Sequence, residues 1–321
     1  MAAPLTKTTE ASVFQIWLGK NIRYFKRYWT LYLLLILPVV YFAIFRYAPM
    51  INIMQAFKEN NILRPVWELQ WADKYGFQEF FNAFVDREFR QALRNTVLLN
   101  VLDLVFGFPA PVILAILLNE LAFKKFKRIT QTVAYMPHFL SWVIIAGLAM
   151  QLFAPRSGLV NILLMNMGFE AVPFLNSSFH WVWSYVFLGI WSSVGWNTII
   201  YLAAITSINP ELYEAAAVDG AGRLRKIWHI TLPGIKPTII ILLILSLGRM
   251  LGSDFERPMA LRNPIVHDVS NVLSIYVFEK GIEGSRFSLT TAVGLFQSVI
   301  CVMFLLAANK IATKAGERGL W

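Results

Sequence analysis

Residues 214–233 read EAAAVDGAGRLRKIWHITLP, a polar and basic stretch between two long apolar runs. Glu-Ala-Ala at 214–216 is followed after three residues by Gly220, and after nine more by Ile-Thr-Leu-Pro at 230–233. The spacing predicts a short helix, a break at Gly220 and a second short helix, because glycine adopts backbone angles that other residues avoid. Pro233 is then predicted to lie in the first turn of a following apolar helix. Such an elbow is typical of a docking surface and not of a catalytic site.

The composition indicates an integral membrane protein. Of the 321 residues, 57% are hydrophobic and only 15% are charged, and the mean hydropathy is +0.55. Soluble domains carry about 25% charged residues. Because Cys301 is the single cysteine, a disulfide within the chain is excluded. The sequence contains no Cys-x-x-Cys spacing and no cluster of histidines, so no metal site is predicted.

The hydropathy pattern predicts an all-α membrane protein with six transmembrane helices. These apolar segments lie near residues 31–50, 93–118, 132–153, 181–206, 238–257 and 288–308. Residues 12–29 are basic and aromatic and predict an N-terminal amphipathic helix on the membrane surface. The predicted organisation is a tail over residues 1–30, a transmembrane domain over 31–310 with a cytoplasmic loop at 207–237, and a second tail over 311–321.

Basic residues predict the orientation of the spans, because lysine and arginine are retained on the cytoplasmic side. Four segments on one side of a six-span topology carry them: Lys7, Lys20, Arg23, Lys26 and Arg27; Lys124, Lys125, Lys127 and Arg128; Arg223, Arg225, Lys226 and Lys236; Lys310, Lys314 and Arg318. The loop at 154–180 carries only Arg156. Both termini and the 207–237 loop are therefore predicted to face the cytoplasm. The net charge of +10 is explained in this way without nucleic acid binding.

Prolines and glycines interrupt several predicted spans. Pro38 lies in the first, Pro109 and Pro111 in the second, and Gly248 and Gly252 in the fifth. Backbone breaks at membrane depth are tolerated where a segment is buried in protein or lines a cavity. The pattern therefore favours a transporter or channel over a simple membrane anchor.

The 214–233 stretch resembles the signature loop of permease subunits of binding-protein-dependent ABC importers. All the fixed positions of that loop are present, and it lies between the fourth and fifth of six predicted spans, as in that family. The resemblance covers the chain from about residue 30 onward and implies the type I, MetI-like permease fold. The start of the transmembrane region, YLLLILPVVYFAIFRYAPM, resembles the poly- and oligosaccharide branch, including permease subunits of alginate importers.

The resemblance implies that the elbow docks in a groove of a cytoplasmic ATPase. Glu214 would meet a basic residue, Ala215 and Ala216 would allow close approach, and Asp219 and Gly220 would form the turn. The implied partners are a second, homologous permease subunit, two ATPase subunits, an extracytoplasmic solute-binding protein, a carbohydrate and membrane lipid, in a bacterial inner membrane. ATP and Mg would bind only the ATPase subunits, and no phosphate-binding GxxxxGK[ST] motif occurs in this chain.

Polar residues in the predicted spans are candidates for a substrate pathway, since they are costly in a membrane. Asn100 and Asp103 are three residues apart and so share a helix face. They predict either a pathway lining or a structural hydrogen bond to another span. Arg249 predicts either attraction for an acidic sugar, or snorkelling to the headgroups or pairing with an acid such as Asp254.

Aromatic residues of the fourth predicted span are further candidates, because their faces stack on sugar rings. Trp191, Trp196 and Asn197 lie deepest in that span. Aromatic side chains also collect at membrane interfaces, which is the competing interpretation, above all for Trp181 and Trp183 near the span's outer end.

Two other classes of function compete with the importer. An ion-coupled secondary transporter or channel would need intramembrane carboxylates and usually internal repeats. The spans contain one deep acid, Asp103, and no repeat. A membrane scaffold that recruits a protein through residues 207–237 would not need broken, polar spans.

Overall fold

The computed structural model describes residues 10–252, 254–317 and 319–320, and the side chains of residues 10–20, 22 and 23 are outside the description. The basic residues Lys7 and Arg318, and the side chains of Lys20 and Arg23, therefore lie outside the described residues. Within this part of the chain the secondary structure is helical, with one isolated antiparallel bridge between Lys58 and Trp71. The chain forms two compact units, residues 1–54 and 55–321.

The first unit contains the long helix α1, Glu10–Phe42. It continues through a π turn, Ala43–Tyr47, into a 3₁₀ helix, Ala48–Phe57. The predicted surface segment at 12–29 is helical and runs directly into the first span, with a kink at Tyr28 (φ −118°, ψ 20°). Its position on the membrane surface remains a prediction.

The second unit contains the other helices. The first group is α2 Gln78–Val85, α3 Arg87–Leu102, α4 Pro109–Glu120, α5 Lys124–Tyr135, α6 Trp142–Leu152, α7 Leu159–Asn166 and α8 Ser178–Thr206. The second group is α9 Pro210–Val218, α10 Arg223–Lys226, α11 Leu232–Leu247, α12 Glu256–Leu261, α13 His267–Ser270, α14 Leu273–Phe278 and α15 Phe287–Lys314. Short π turns join α3 to α4 (Asp103–Gly107) and α10 to α11 (Ile227–Thr231).

Five helices of the described chain are long and apolar enough to cross a membrane: Tyr24–Phe57, Arg87–Glu120, Ser178–Thr206, Arg223–Leu247 and Phe287–Lys314. A sixth crossing exists if the bent pair Lys124–Phe139 and Trp142–Leu152 is counted as one span. The predicted count of six therefore corresponds to five continuous helices and one broken one.

The third predicted span, 132–153, is wrong as a single helix. The helix axis turns by 105° at residues 139–142. Pro137 closes a 3₁₀ turn, and the Ser141 hydroxyl accepts a hydrogen bond from the Ile144 amide and caps α6. The bend packs against α8 at Gly195, where a β-carbon would collide with the Ala134 carbonyl.

The fifth predicted span, 238–257, is displaced in the structure. Its helix begins at Arg223 and ends at Leu247, so the predicted second short helix of the elbow is the first turn of this long helix. Pro233 lies in the first turn of α11, as predicted, whereas Pro237 lies inside that helix. The π turn before Pro233 widens the helix where the proline ring would otherwise crowd the preceding turn.

Helix α8 lies at the centre of the second unit. Its Trp181 is fully buried and donates from Nε1 to the Leu261 carbonyl at 2.9 Å, so this residue belongs to the core and not to a membrane interface. Asn95 of α3 is also fully buried and donates to the carbonyls of Asp268 and Asn271. These contacts hold the segment after the fifth span against the second and fourth spans.

Candidate functional site

The elbow begins with a capped helix. The Asn209 side chain accepts a hydrogen bond from the Glu211 amide at 3.1 Å, and Pro210 occupies the first turn of α9. The helix ends at Val218, and Gly220 adopts a left-handed conformation with φ +74°. The predicted break at Gly220 is therefore confirmed. The bend allows the chain to reverse into the fifth helix, which begins three residues later.

The predicted docking residues lie on an exposed surface. Glu214, Ala215, Asp219 and Gly220 are exposed and Ala216 is half-buried. Apolar side chains beside them are also left uncovered by the rest of the described chain: Val218 is 89% exposed, Leu224 73% and Trp228 66%. Apolar exposure of this kind next to small residues is typical of a protein interaction site.

One contact links the elbow helix to the fifth span. The Tyr213 hydroxyl lies 3.0 Å from the Thr231 hydroxyl, which belongs to the π turn of the fifth helix. Thr231 is buried. The elbow and the base of the fifth helix are thus joined by a polar contact as well as by the chain.

At the other end of the fifth helix the structure contains a cavity of about 510 Å³. Four of the six predicted pathway residues line it: Asn100, Asp103, Asn197 and Arg249. The remaining lining includes Gly189, Ser193, Tyr201, Leu245, Ser246 and Arg257. The sequence-based candidates from the second, fourth and fifth spans are therefore brought to one space.

The two tryptophans among the predicted pathway residues do not line this cavity. Trp196 stacks on His138 of the bend before α6, with ring centroids 4.6 Å apart and an interplanar angle of 7°. Trp191 is 39% exposed on the surface of α8. Trp196 thus packs the fourth span against the bend before α6.

A buried ion pair forms part of the cavity wall. The Arg257 guanidinium donates to both carboxylate oxygens of Asp103, at 2.7 and 3.2 Å, and to the Tyr185 carbonyl. Its carbon lies 3.6 Å from the centroid of the Tyr185 ring. Gly189 leaves the space that the guanidinium fills, since a β-carbon there would collide with it. Asp103 therefore lines the cavity and also pairs with another segment, while its role in a substrate pathway stays a prediction.

The sequence analysis did not identify Arg257. This residue lies ten positions beyond the last helical residue of the fifth span, in α12. In the sequence, the local indication of an ion-pair site was the occurrence of Asp254 and Arg257 shortly after Gly248 and Gly252. Asp254 accepts from the Arg257 amide at 3.4 Å. One of the alternatives for Arg249, an ion pair with Asp254, is not among the ion pairs of the described residues.

Arg249 lies in a turn after the fifth helix, and not inside the span as predicted. The Asn100 amide donates to the Met250 carbonyl at 3.0 Å, and the Gln297 amide donates to the Leu251 carbonyl at 3.1 Å. Arg249 is exposed, and no ion pair involves it in the described ranges 10–252, 254–317 and 319–320. Hydrogen bonds from two other spans thus hold the turn in place, and the Arg249 guanidinium takes part in none of the ion pairs of the described residues.

Apolar helices long enough to cross a membrane, a cavity lined by both polar and apolar side chains, and an exposed elbow are together typical of a membrane transport subunit. Residues 89–312 match the family of binding-protein-dependent transport system inner membrane components, and the chain belongs to this family. The predicted class, permeases of ABC importers, is confirmed.

Curated relatives carry the similarity over nearly their whole length. Protein LplB of Bacillus subtilis (strain 168) is 42% identical over 306 residues, which are 94% of this chain and 95% of the relative. The polygalacturonan/rhamnogalacturonan transport system permease protein YteP of the same organism is 40% identical over 91% of this chain and 90% of its own.

Solved structures show the same fold. A chain from the crystal structure of a bacterial alginate ABC transporter in complex with alginate pentasaccharide-bound periplasmic protein is 38% identical, with a TM-score of 0.84 over 93% of this chain and 99% of that one. A second alginate importer structure gives 39% identity and a TM-score of 0.83. The predicted type I, MetI-like permease fold is therefore confirmed.

Proposed function

We propose that this chain is one transmembrane subunit of an ATP-driven importer that moves an acidic poly- or oligosaccharide into the cytoplasm. The observation that carries the proposal is the exposed elbow with its left-handed Gly220, which is followed by a helix whose far end lines the cavity that contains the polar pathway candidates. Family membership favours this function over an ion-coupled carrier or channel, and also over a scaffold.

The elbow supports the presence of ATPase partners. Glu214, Ala215 and Ala216 lie on a capped helix that can enter a groove, and the apolar side chains around them would be covered by the partner. Two such ATPase subunits would carry ATP and Mg, and this chain would hydrolyse nothing itself. Family membership adds a solute-binding protein on the outer side and a second permease subunit, since six spans rarely enclose a sugar-sized route alone.

The fifth helix supports a mechanical link between the ATPases and the pathway. Arg223–Leu247 contains 25 residues. At 1.5 Å per residue this is about 37 Å, roughly the thickness of a membrane. Closure of the ATPases on ATP would displace the elbow, and the helix would carry that displacement to the cavity. The bundle would alternate between inward-open and outward-open packings.

The names of the relatives support an acidic saccharide as cargo. Polygalacturonan, rhamnogalacturonan and alginate all contain uronic acids, and permeases of such importers are similar to this chain over nearly its full length. Asn100, Asp103, Asn197 and Arg249 line a cavity large enough for part of a saccharide chain. We place the protein in a bacterial inner membrane with both termini in the cytoplasm, because the basic loops share one side.

Site-specific cross-linking tests the proposal. Cysteine is introduced at Val218, in a Cys301→Ser background and in cells that express the neighbouring transport genes. Because Val218 is 89% exposed at the end of the elbow helix, a thiol cross-linker is expected to capture a nucleotide-hydrolysing subunit there. Mass spectrometry identifies the captured chain.

The matched control introduces cysteine at Leu63, which is 94% exposed in the segment between the first and second spans and is predicted to face outward. No ATPase should be captured from this position. Capture from neither position, or equally from both, would refute the coupling role of the elbow.

A further inference from the structure

The turn after the fifth helix is built differently from an ordinary helix end. Side chains from two other spans donate hydrogen bonds to consecutive carbonyls, Asn100 to Met250 and Gln297 to Leu251. The Gly252 amide closes the turn by donating to the Arg249 carbonyl at 2.7 Å. Asn100 lies on the second span and Gln297 on the sixth, so the turn is fixed between them.

Packing reinforces this clamp. Leu251 is 3% exposed and Gln297 is 9% exposed. A β-carbon on Gly248 would lie 2.8 Å from the Leu305 side chain, so the sixth span approaches the backbone closely at that point. A buried amide donor that loses its acceptor costs free energy, and this favours the observed position of the turn.

The charges around the cavity leave one guanidinium available. Arg257 is 6% exposed and is neutralised by Asp103 through two hydrogen bonds. Arg249 is exposed, lines the same cavity, and has no carboxylate partner within the described residues. An anion that enters the cavity would therefore be attracted to Arg249.

We propose that the 248–252 turn is a carboxylate-binding subsite for one uronate unit of the transported saccharide. Arg249 binds the carboxylate, and Asn100 and Gln297 are positioning residues that hold the arginine at the cavity. The proposal rests on the proposed importer function and adds the group of the substrate that is recognised and the residues that fix the recognition. A planar guanidinium suits a carboxylate because it can form two parallel hydrogen bonds.

Chemical rescue tests the charge at position 249. Arg249→Cys is made in the Cys301→Ser background, and the complete complex is reconstituted in vesicles with its solute-binding protein. Uptake of a radiolabelled galacturonate oligomer is measured. The variant is expected to lose about 10-fold in uptake, because a charge-assisted hydrogen bond is lost. Aminoethyl methanethiosulfonate, which adds a positive charge, should raise the uptake rate of the variant several-fold. The sulfonatoethyl reagent, which adds a negative charge, should not raise it.

A double-mutant cycle tests the positioning role. Gln297→Leu should lower uptake, yet the Arg249→Gln, Gln297→Leu double variant should fall no further than Arg249→Gln alone, because the glutamine acts through the arginine. Gln297→Glu is the conservative second variant. It should also lower uptake, because a carboxylate of similar size cannot donate to the Leu251 carbonyl. Gln91→Leu is the control: Gln91 also donates to a backbone carbonyl, that of Asp268, and does not line the cavity. Its effect should multiply with that of Arg249→Gln.

Three results would overturn the subsite. Equal rescue by both reagents would exclude a charge requirement, and multiplicative losses at Gln297 and Arg249 would exclude positioning. If the wild-type complex moves no galacturonate oligomer although the elbow captures its ATPase, the carboxylate subsite is wrong and the importer function stands. Failure to capture an ATPase at the elbow would instead refute the coupling role on which the importer proposal rests.

Discussion

The two ends of the fifth helix are built in opposite ways. At the elbow end, Gly220 and most of α9 are exposed, and a side-chain hydrogen bond between Tyr213 and Thr231 links α9 to the helix. At the cavity end, the 248–252 turn is held by amides from the second and sixth spans. Under the proposed importer function, the exposed end would receive a partner's motion and the clamped end would transmit it to neighbouring spans.

The largest expected effect is a loss of stability when the Asp103–Arg257 ion pair beside the 248–252 turn is broken. Asp103→Asn leaves the buried Arg257 guanidinium without a counter-charge, which costs roughly 3 kcal/mol. We expect a lower unfolding temperature of the purified complex and an unchanged yield of the Val218 cross-link per folded molecule. The Asp103→Asn, Arg257→Gln double variant should recover much of the loss, because both charges are removed together. No recovery would show that the pair is not a unit.

A smaller loss of stability is expected at Gly189, where the Arg257 guanidinium packs directly against the backbone of α8. Gly189→Ala places a methyl group against the Arg257 guanidinium, and overpacking of this kind costs about 1–3 kcal/mol. The expected measurement is again a lower unfolding temperature. Gly294→Ala is the control, since its added methyl group meets no atom within 4 Å. Equal effects of the two variants would contradict the close fit of Arg257.

The elbow offers a matched pair of glycines. Gly220 and Gly222 both have open space around them, but only Gly220 has a positive φ. Gly220→Ala should strain the turn by about 1–2 kcal/mol and lower uptake about 10-fold with little change in unfolding temperature. Gly222→Ala should retain uptake. Binding of sugar to the separate solute-binding protein should be unaffected by either variant. Equal uptake by the two variants would show that the left-handed turn is dispensable.

The smallest effect concerns the link between the elbow and the fifth helix. Tyr213→Phe removes the contact with the Thr231 hydroxyl and should cost about 0.5–1.5 kcal/mol locally. Hydrogen exchange of the α9 amides should become faster by several-fold. Tyr75→Phe, at a fully exposed tyrosine, serves as the control and should leave α9 unchanged. Unchanged exchange in Tyr213→Phe would mean that the elbow is held by other contacts.

The elbow could be predicted from sequence because its determinants are local. The spacing of residues 214–233 identified the family, and the left-handed Gly220 agrees with the predicted break. The hydrogen bonds that hold the 248–252 turn could not be predicted in the same way, since Gln297 lies 46 positions from the carbonyl to which it donates. A hydrogen bond between distant residues leaves no periodicity in either segment.

The two errors in the spans have identifiable causes. Hydropathy joined residues 132–153 because the bend at 139–142 is itself apolar, although Pro137 and the capping Ser141 mark the start of a new helix. In the fifth span, Gly248 lies at the helix end, where glycine is common. The predicted second short helix is present as α10, Arg223–Lys226, but it continues through the π turn into the fifth span. Arg257 was missed because its partner, Asp103, is 154 positions away.

The π turn at Ile227–Thr231 has a geometric consequence for the direction in which the elbow faces. A π turn carries one more residue than regular α-helix, and each residue advances the helix by about 100°. Deleting a single residue here would rotate α9 by about a quarter-turn or more around the span while leaving every residue of the docking motif intact. The direction in which the exposed surface of α9 faces is thus set by the helix register at the π turn, independently of the residues that form that surface.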